Sequence, residues 1–103
     1  MEHKDKIIKV VNAKYFGRQD KAVPTGYYIY CGRPSPYGNP YYMANEAMRQ
    51  KVIADFEKKI LPNLDITKLI ELSKKGDLFL GCFCAPKACH CDKIKEKIEN
   101  NKH

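Results

Sequence analysis

Two short runs of β-branched and aromatic residues occur in the first third of the chain. Residues 7–12 have the sequence IIKVVN and residues 27–31 the sequence YYIYC. Both are rich in the side chains that favour strands. Residues 14–26, between them, are mostly polar and carry glycine and proline, which predicts a connection over the surface. We therefore expect two strands joined by an irregular loop.

The period of the apolar positions changes in the middle of the chain. Between residues 48 and 60 an apolar side chain recurs every fourth position, which predicts one amphipathic helix. Asn45 is suited to begin this helix and Pro62 to end it. A shorter helix is predicted after Asp65, ending at Gly76.

The last third of the chain predicts a buried strand and a final helix. Residues 77–84, DLFLGCFC, are almost all apolar and too few for a core helix, which is typical of a strand covered on both faces. The final helix is expected to begin near His90, with Cys91, Ile94 and Ile98 facing the core. If the strands that begin at Tyr27 and Asp77 are parallel neighbours, the helices between them form a crossover, which should be right-handed.

The element order β-β-α-α-β-α predicts an α/β fold. We expect a single small domain over residues 1–103, with a short, largely parallel, Rossmann-like sheet in two or three layers and loose ends at 1–5 and 100–103. Parallel strands finish at one edge of a sheet, so the loops after Cys31 and Cys84 should open side by side. Open α/β sheets bind ligands at that edge.

Composition limits the classes of function. The chain has 103 residues, 44% of them hydrophobic, which is enough for one folded core. A balance of 19 Lys and Arg against 12 Asp and Glu gives a net charge of +7 and favours anionic partners such as nucleotides or nucleic acid. No apolar run is long enough for a membrane span or a signal peptide, so we expect a cytoplasmic protein with no membrane partner.

A proline-rich loop follows the second predicted strand, with the sequence CGRPSPYGNPYY over residues 31–42. Its prolines restrict the backbone, so the loop should be pre-shaped, and Arg33 offers a planar fork for phosphate or carboxylate. The predicted ligand-binding residues are Gly32, Arg33, Ser35, Tyr37, Gly38, Asn39 and Tyr41. The alternative is a structural turn, with the tyrosines in the core and Arg33 paired with a carboxylate.

Four of the five cysteines lie within residues 82–91, CFCAPKACHC. An odd, clustered set in a reducing compartment favours ligand, catalytic or core roles over disulfides. Cys82 and Cys84 should share one side of a strand, and Cys89 and His90 should return after a turn at Pro86. Cys91 is predicted to be a core residue.

Three interpretations of this segment remain open. Cys82, Cys84, Cys89 and His90 could hold zinc. Alternatively, a thiol of Cys84 or Cys89 could act as a nucleophile, with His90 beside it. In the third interpretation the cysteines pack as small apolar groups, and the start of the last helix binds an anion.

The two motifs GRPSPYGNPY and LGCFCAPKACH together resemble a family of small bacterial and phage proteins catalogued as domain of unknown function 4326. The pattern of that family is G-R-x-S-x-x-G-N-P-F, then C-W-C-x-P, then C-H-G-D. The matching positions are Gly32, Arg33, Ser35, Gly38, Asn39, Pro40, Cys82, Cys84, Pro86, Cys89, His90 and Asp92.

This sequence departs from the pattern at Tyr41, Phe83 and Cys91, which replace Phe, Trp and Gly. Cys31 also stands where the pattern has an aliphatic residue. The resemblance therefore argues against a family-wide role for Cys31 and Cys91. It supports the site and implies no particular reaction.

The leading hypothesis places the function in one pocket, formed by the Arg33–Pro40 loop and the Cys82–His90 segment. We expect this pocket to bind a nucleotide-like or phosphorylated small ligand, and the sequence leaves open whether the ligand is also processed. One alternative is a zinc-stabilised nucleic-acid-binding module. Another is a thiol-dependent transferase or hydrolase, so the sequence leaves open whether the protein is an enzyme.

Overall fold

A computed structural model describes residues 6–33, 35–41, 45–85 and 87–101. The predictions that concern Pro34, Tyr42 and Pro86 lie outside these residues. So do the predictions for residues 1–5 and 102–103.

The sheet has four strands in the order β1-β4-β3-β2. They are β1 (Ile8–Asn12), β2 (Lys21–Val23), β3 (Gly26–Tyr30) and β4 (Asp77–Cys82). Strand β4 is parallel to both β1 and β3, whereas β2 is antiparallel to β3. The predicted α/β fold with a largely parallel sheet is confirmed. Strands β3 and β4 are parallel neighbours, which is the condition under which their following loops open at one edge.

The polar sequence predicted an irregular connection between the first two predicted strands, but part of this connection is regular. It contains a one-turn helix, α1 (Ala13–Phe16), and the edge strand β2. The Asn12 side chain caps α1 by accepting a 2.8 Å hydrogen bond from the backbone N–H of Lys14. Strand β2 is only three residues long, too short for a clear alternating pattern.

Three further helical segments complete the fold. They are α2 (Arg49–Asp55), α3 (Thr67–Lys75) and α4 (His90–Asn100). The single helix predicted up to Pro62 is divided into four consecutive segments. They are a 3₁₀ turn at Glu46–Met48, then α2, a π-helical segment at Phe56–Ile60 and a second 3₁₀ turn at Leu61–Asn63. Because Pro62 has no backbone N–H, a regular α-helical bond cannot form there, and the chain changes its winding around it.

Side chains alternate across the sheet and form a core on each face. The larger core contains Leu78 and Leu80, both fully buried, against Leu69 of α3 and Ile94 of α4. The smaller core contains residues of β3 and α1: Ala13, Tyr28 and Tyr30, with Phe16 packed against them. Strand β4 is therefore covered on both faces, as its apolar run predicted.

The ends of β3 and β4 bring two distant loops together. Residues 31–41 leave β3 and residues 83–89 leave β4, at the same edge of the sheet. The Nε2 atom of His90 lies 2.8 Å from the carbonyl oxygen of Cys31, which ties the start of α4 to the first loop. The Asn12 amide donates a 2.7 Å hydrogen bond to the carbonyl of Ala85 and ties β1 to the second loop.

No helix in the described part of the chain is both long enough and apolar enough to cross a lipid bilayer.

Candidate functional site

A pocket of about 450 Å³ opens between these two loops. The loop after β3 contributes Gly32, Arg33, Asn39 and Tyr41, and the cysteine segment contributes Cys82, Cys84, Cys89 and His90. Arg33 and Cys89 therefore line the same cavity, although they are far apart in sequence. This is the arrangement expected when two parallel strands end at one edge.

Three predicted ligand-binding residues shape the loop and do not line the pocket. The Ser35 hydroxyl accepts a 3.2 Å hydrogen bond from the backbone N–H of Tyr37, whose side chain is buried in the larger core. Gly38 lies so close to Arg33 that an added Cβ would be only 3.1 Å from the Arg33 Cγ. The loop thus combines both interpretations, since some of its residues brace the turn and others face the cavity.

Asn39 lines the pocket, but both ends of its amide are already bonded within the protein. Its nitrogen donates to the carbonyl of Val52 at 3.2 Å, and its oxygen accepts from the backbone N–H of Tyr41 at 2.9 Å. These bonds fasten the loop to α2. They leave the amide with little remaining capacity to hydrogen-bond a ligand.

Every arginine of the sequence lines this pocket. Only three of the 19 basic residues are arginines, and Arg18, Arg33 and Arg49 all contribute to its wall. No acidic residue and no lysine in the described ranges does so. We call this cavity the arginine pocket.

The three guanidinium groups have different partners. Arg33 is exposed, and none of the carboxylates in the described residues pairs with it. Arg49 is held by two hydrogen bonds to Glu46, of 2.5 and 2.9 Å, and by one of 2.8 Å to the carbonyl of Ala88. The guanidinium carbon of Arg18 lies 5.1 Å from the centroid of the Phe83 ring, within the range of a cation–π contact.

Aromatic rings form one side of the pocket. Phe83 is half exposed, and its ring packs edge-on against Tyr30 with the centroids 6.2 Å apart. The Tyr30 hydroxyl donates a 2.8 Å hydrogen bond to the carbonyl of Arg33. The ring of Tyr30 therefore supports the backbone that carries the exposed guanidinium.

Cys84 is the most accessible thiol, since the other four cysteines are buried. The prediction that Cys84 and Cys82 share a strand face is wrong because β4 ends at Cys82. Cys84 lies in the following loop and lines the pocket together with Arg49. The hydrogen bonds from Arg49 to Glu46 lower the pKa of that carboxyl, and the same contacts raise the pKa of Arg49.

The start of α4 is already occupied by a carboxylate from the chain itself. Asp92 accepts a 3.0 Å hydrogen bond from the backbone N–H of Cys89, as in a capping box. A ligand anion would therefore compete with Asp92 there. Burial lowers the pKa of His90, the first residue of the helix, so its ring is neutral near pH 7.

Three buried thiols lie together at the wall of the arginine pocket, to which Cys82 and Cys89 also contribute. The sulphur atoms of Cys82, Cys89 and Cys91 are all within 4.8 Å of one another and could hold a metal ion. Hydrogen bonds from Cys89 and Cys91 lower the pKa of Cys82. The bond to Cys82 raises the pKa of Cys89, and bonds to Cys31 and Cys82 raise that of Cys91.

The grouping differs from the predicted zinc set of Cys82, Cys84, Cys89 and His90. Cys84 lies outside the group of three, and the Nε2 of His90 is bonded to the Cys31 carbonyl. Cys91, predicted as a core residue, is fully buried as expected but also belongs to the sulphur group. We call Cys82, Cys89 and Cys91 the thiol cluster.

Sequence reasoning missed several residues of the pocket. They are Arg18, Tyr30, Arg49, Val52, Ile53, Phe83 and Ala88. The scarcity of arginine was a usable signal, because a chain that otherwise uses lysine has a specific reason to use guanidinium. The apolar members carried no such signal, since Val52 and Ile53 look like ordinary core positions of a helix.

Comparison with known proteins gives a family for this chain. No curated protein and no solved structure matches the sequence. The family described as domain of unknown function (DUF4326) matches residues 14–100, a stretch that includes the proline-rich loop, the cysteine segment and all of α4. Since this match extends over most of the sequence, the chain belongs to the domain of unknown function 4326 family.

Proposed function

We propose that the chain binds a nucleotide-like or phosphorylated small ligand in the arginine pocket. The observation that carries this proposal is the convergence of all three arginines on one cavity without an acidic residue from the described ranges in its wall. Glu46 compensates the charge of Arg49, but neither Arg18 nor Arg33 has a carboxylate partner among the described residues, so both would attract an anion into the cavity. Guanidinium is also the side chain best matched to phosphate oxygens.

The three arginines suit different parts of such a ligand. Arg33 is free to meet the most anionic group, because its guanidinium has no carboxylate partner among the described residues. Arg49 is held in place by Glu46 and Ala88, so a ligand would find it already oriented. The wall formed by Arg18 and Phe83 offers a flat surface for a planar ring.

The size of the pocket supports a small ligand. Its volume of about 450 Å³ falls within the range of roughly 300 to 1,000 Å³ that is typical of small-molecule sites. Nucleic acid, the other anionic partner, would use the exposed lysines of the helices. These lysines lie outside the cavity, so the arginines favour the small ligand.

A panel of nucleoside mono-, di- and cyclic phosphates and ADP-ribose-like compounds tests this proposal by thermal unfolding. A ligand at 100 times its Kd stabilises the fold by about 2.7 kcal/mol, which raises Tm by roughly 10 to 20 °C for a domain of this size. No shift from any member of the panel would contradict the proposal. Oligonucleotide binding alone, weakening steeply with salt, would favour the nucleic-acid module instead.

Arg33→Gln is the informative variant. Loss of a charge-assisted hydrogen bond, about 1.5 to 3 kcal/mol, should weaken the Kd of the best ligand about 10- to 150-fold in calorimetric titration. Lys74→Gln is the matched control, because it makes the same change of charge at an exposed position of α3 outside the pocket. Equal effects of the two variants would refute a specific role for Arg33.

A second candidate function is a thiol-dependent transferase or hydrolase, favoured by the position of Cys84. This thiol is partly accessible and lines the arginine pocket together with Arg49, which could hold the anionic part of a substrate beside it. The other proposed thiol, Cys89, is 3% exposed and bonded within the thiol cluster. Cys84 is therefore the better nucleophile of the two.

A further inference from the structure

The thiol cluster is built from positions that the chain brings together from the end of β4 and the start of α4. Cys82 ends β4, Cys89 precedes α4 and Cys91 lies in its first turn. The sulphurs of Cys82 and Cys89 are 2.9 Å apart. Cysteines that serve only as small apolar groups do not need to have their sulphur atoms this close together.

The distances between the three sulphur atoms are close to those found between the ligands of a metal site. Four thiolates around zinc, with Zn–S bonds of about 2.3 Å in a tetrahedron, have their sulphurs about 3.8 Å apart. The observed separations include one of 2.9 Å, and none of the three exceeds 4.8 Å. Displacements of less than about 1 Å would therefore bring the three sulphurs to this spacing.

The strand register supplies a fourth sulphur. Tyr30 of β3 pairs with Gly81 of β4, so the next residues along the two parallel strands, Cys31 and Cys82, lie side by side. Both belong to the larger core, which places their side chains on the same face of the sheet. The Cys31 thiol is fully buried and donates a 3.6 Å hydrogen bond to the carbonyl of Ile29. Its sulphur lies outside the group of three that are within 4.8 Å of one another, so it would have to move towards them to bind the same metal.

The start of α4, an 11-residue helix, lies at the sulphurs, since Cys89 is its N-cap and Cys91 its second residue. The partial positive charge at the N-terminus of a helix stabilises thiolates, the form in which cysteine binds a metal.

We propose that Cys82, Cys89 and Cys91, with Cys31 as the fourth sulphur, bind one Zn²⁺ ion as thiolates. Each thiol releases its proton to solvent when its sulphur binds the metal. The site is closed, since all four donors come from the protein, and it is structural. It fastens the ends of β3 and β4 to the start of α4, in the wall of the arginine pocket. This proposal does not depend on the function of that pocket.

Metal analysis of the full chain, purified under reducing conditions without chelator, tests the site. We expect about one zinc per chain. After the metal is removed, Co²⁺ should give the near-ultraviolet thiolate charge-transfer band and the visible bands of tetrahedral cobalt, and Zn²⁺ should abolish both. Absence of zinc together with absence of these bands would overturn the proposal. So would a Cys82–Cys89 disulfide, seen as a chain lighter by two hydrogens and located by peptide mapping.

Single cysteine replacements identify the ligands. Cys91→Ser should lose the metal, whereas Cys84→Ser, the matched control outside the cluster, should retain it. Cys31→Ser should weaken zinc binding by more than the 10- to 100-fold typical of an outer-shell partner. Unchanged zinc affinity in Cys91→Ser would refute the cluster, and in Cys31→Ser it would refute the fourth ligand. The cobalt spectrum of the unaltered chain gives a result even if a variant fails to fold.

Discussion

Replacing Gly32 by alanine tests how the proline-rich loop is supported. An added Cβ at this position would lie 2.4 Å from the Tyr30 hydroxyl oxygen and 2.6 Å from the ring carbon that carries it. Ordinary contact needs about 3.5 Å or more, so the ring would have to move by about 1 Å. Tyr30 is buried, with 5% of its surface exposed, so it has little room to do so.

The expected loss of stability has two parts. Overpacking a well-packed site costs about 1 to 3 kcal/mol, and breaking the 2.8 Å hydrogen bond from Tyr30 to the Arg33 carbonyl costs about 1 kcal/mol. Gly32→Ala should therefore lower the free energy of unfolding by about 2 to 4 kcal/mol. For a domain of this size, that corresponds to a fall in Tm of roughly 10 to 25 °C.

Urea unfolding followed by far-ultraviolet circular dichroism measures this loss. Tyr30→Phe is the control, because it removes only the hydroxyl and should cost about 0.5 to 1.5 kcal/mol. The difference between the two variants isolates the steric part. If Gly32→Ala unfolds within about 0.5 kcal/mol of the unaltered chain, the close approach of Gly32 and Tyr30 is refuted.

Two further predictions concern single side chains. Burial raises the pKa of Tyr28 to about 12, so its ionisation destabilises the fold as pH rises above 10. Urea unfolding between about pH 9 and 11.5 should show a steeper loss of stability in the unaltered chain than in Tyr28→Phe, and equal slopes would contradict this. Cys84 should be the first of the five thiols alkylated by iodoacetamide, since the other four are buried, and a ligand in the arginine pocket should slow the reaction. Peptide mapping reads out the order, and earlier labelling of Cys82 or Cys89 would be inconsistent with the structure.

Local patterns were sufficient for most elements of the fold. The apolar run at Asp77–Cys82 and the aromatic run at Gly26–Tyr30 are strands, and the residues after Asp65 and after Cys89 form helices. These predictions succeed because periodicity and turn residues act over a few positions. The three-residue strand β2 and the one-turn helix α1 were missed, since elements that short have too few residues to show a period.

The candidate site was partly predictable for a topological reason. Parallel neighbouring strands end together, so Arg33 and Cys89 could be expected at one edge without knowledge of any contact. The roles of individual loop residues could not be predicted. Asn39 and Ser35 look like ligand-binding residues in sequence, but the bonds they make depend on the path of the folded loop.

The sequence by itself determined a single α/β domain, the strand that lies at its centre and the two segments that meet at its edge. Only the tertiary structure decided which side chains converge there. Arg18 and Arg49 reach the pocket from the α1–β2 connection and from α2, and Cys91 joins Cys82 through the docking of α4. Periodicity is a property of neighbours along the chain, whereas convergence depends on strand register and on how helices pack, which no local pattern records.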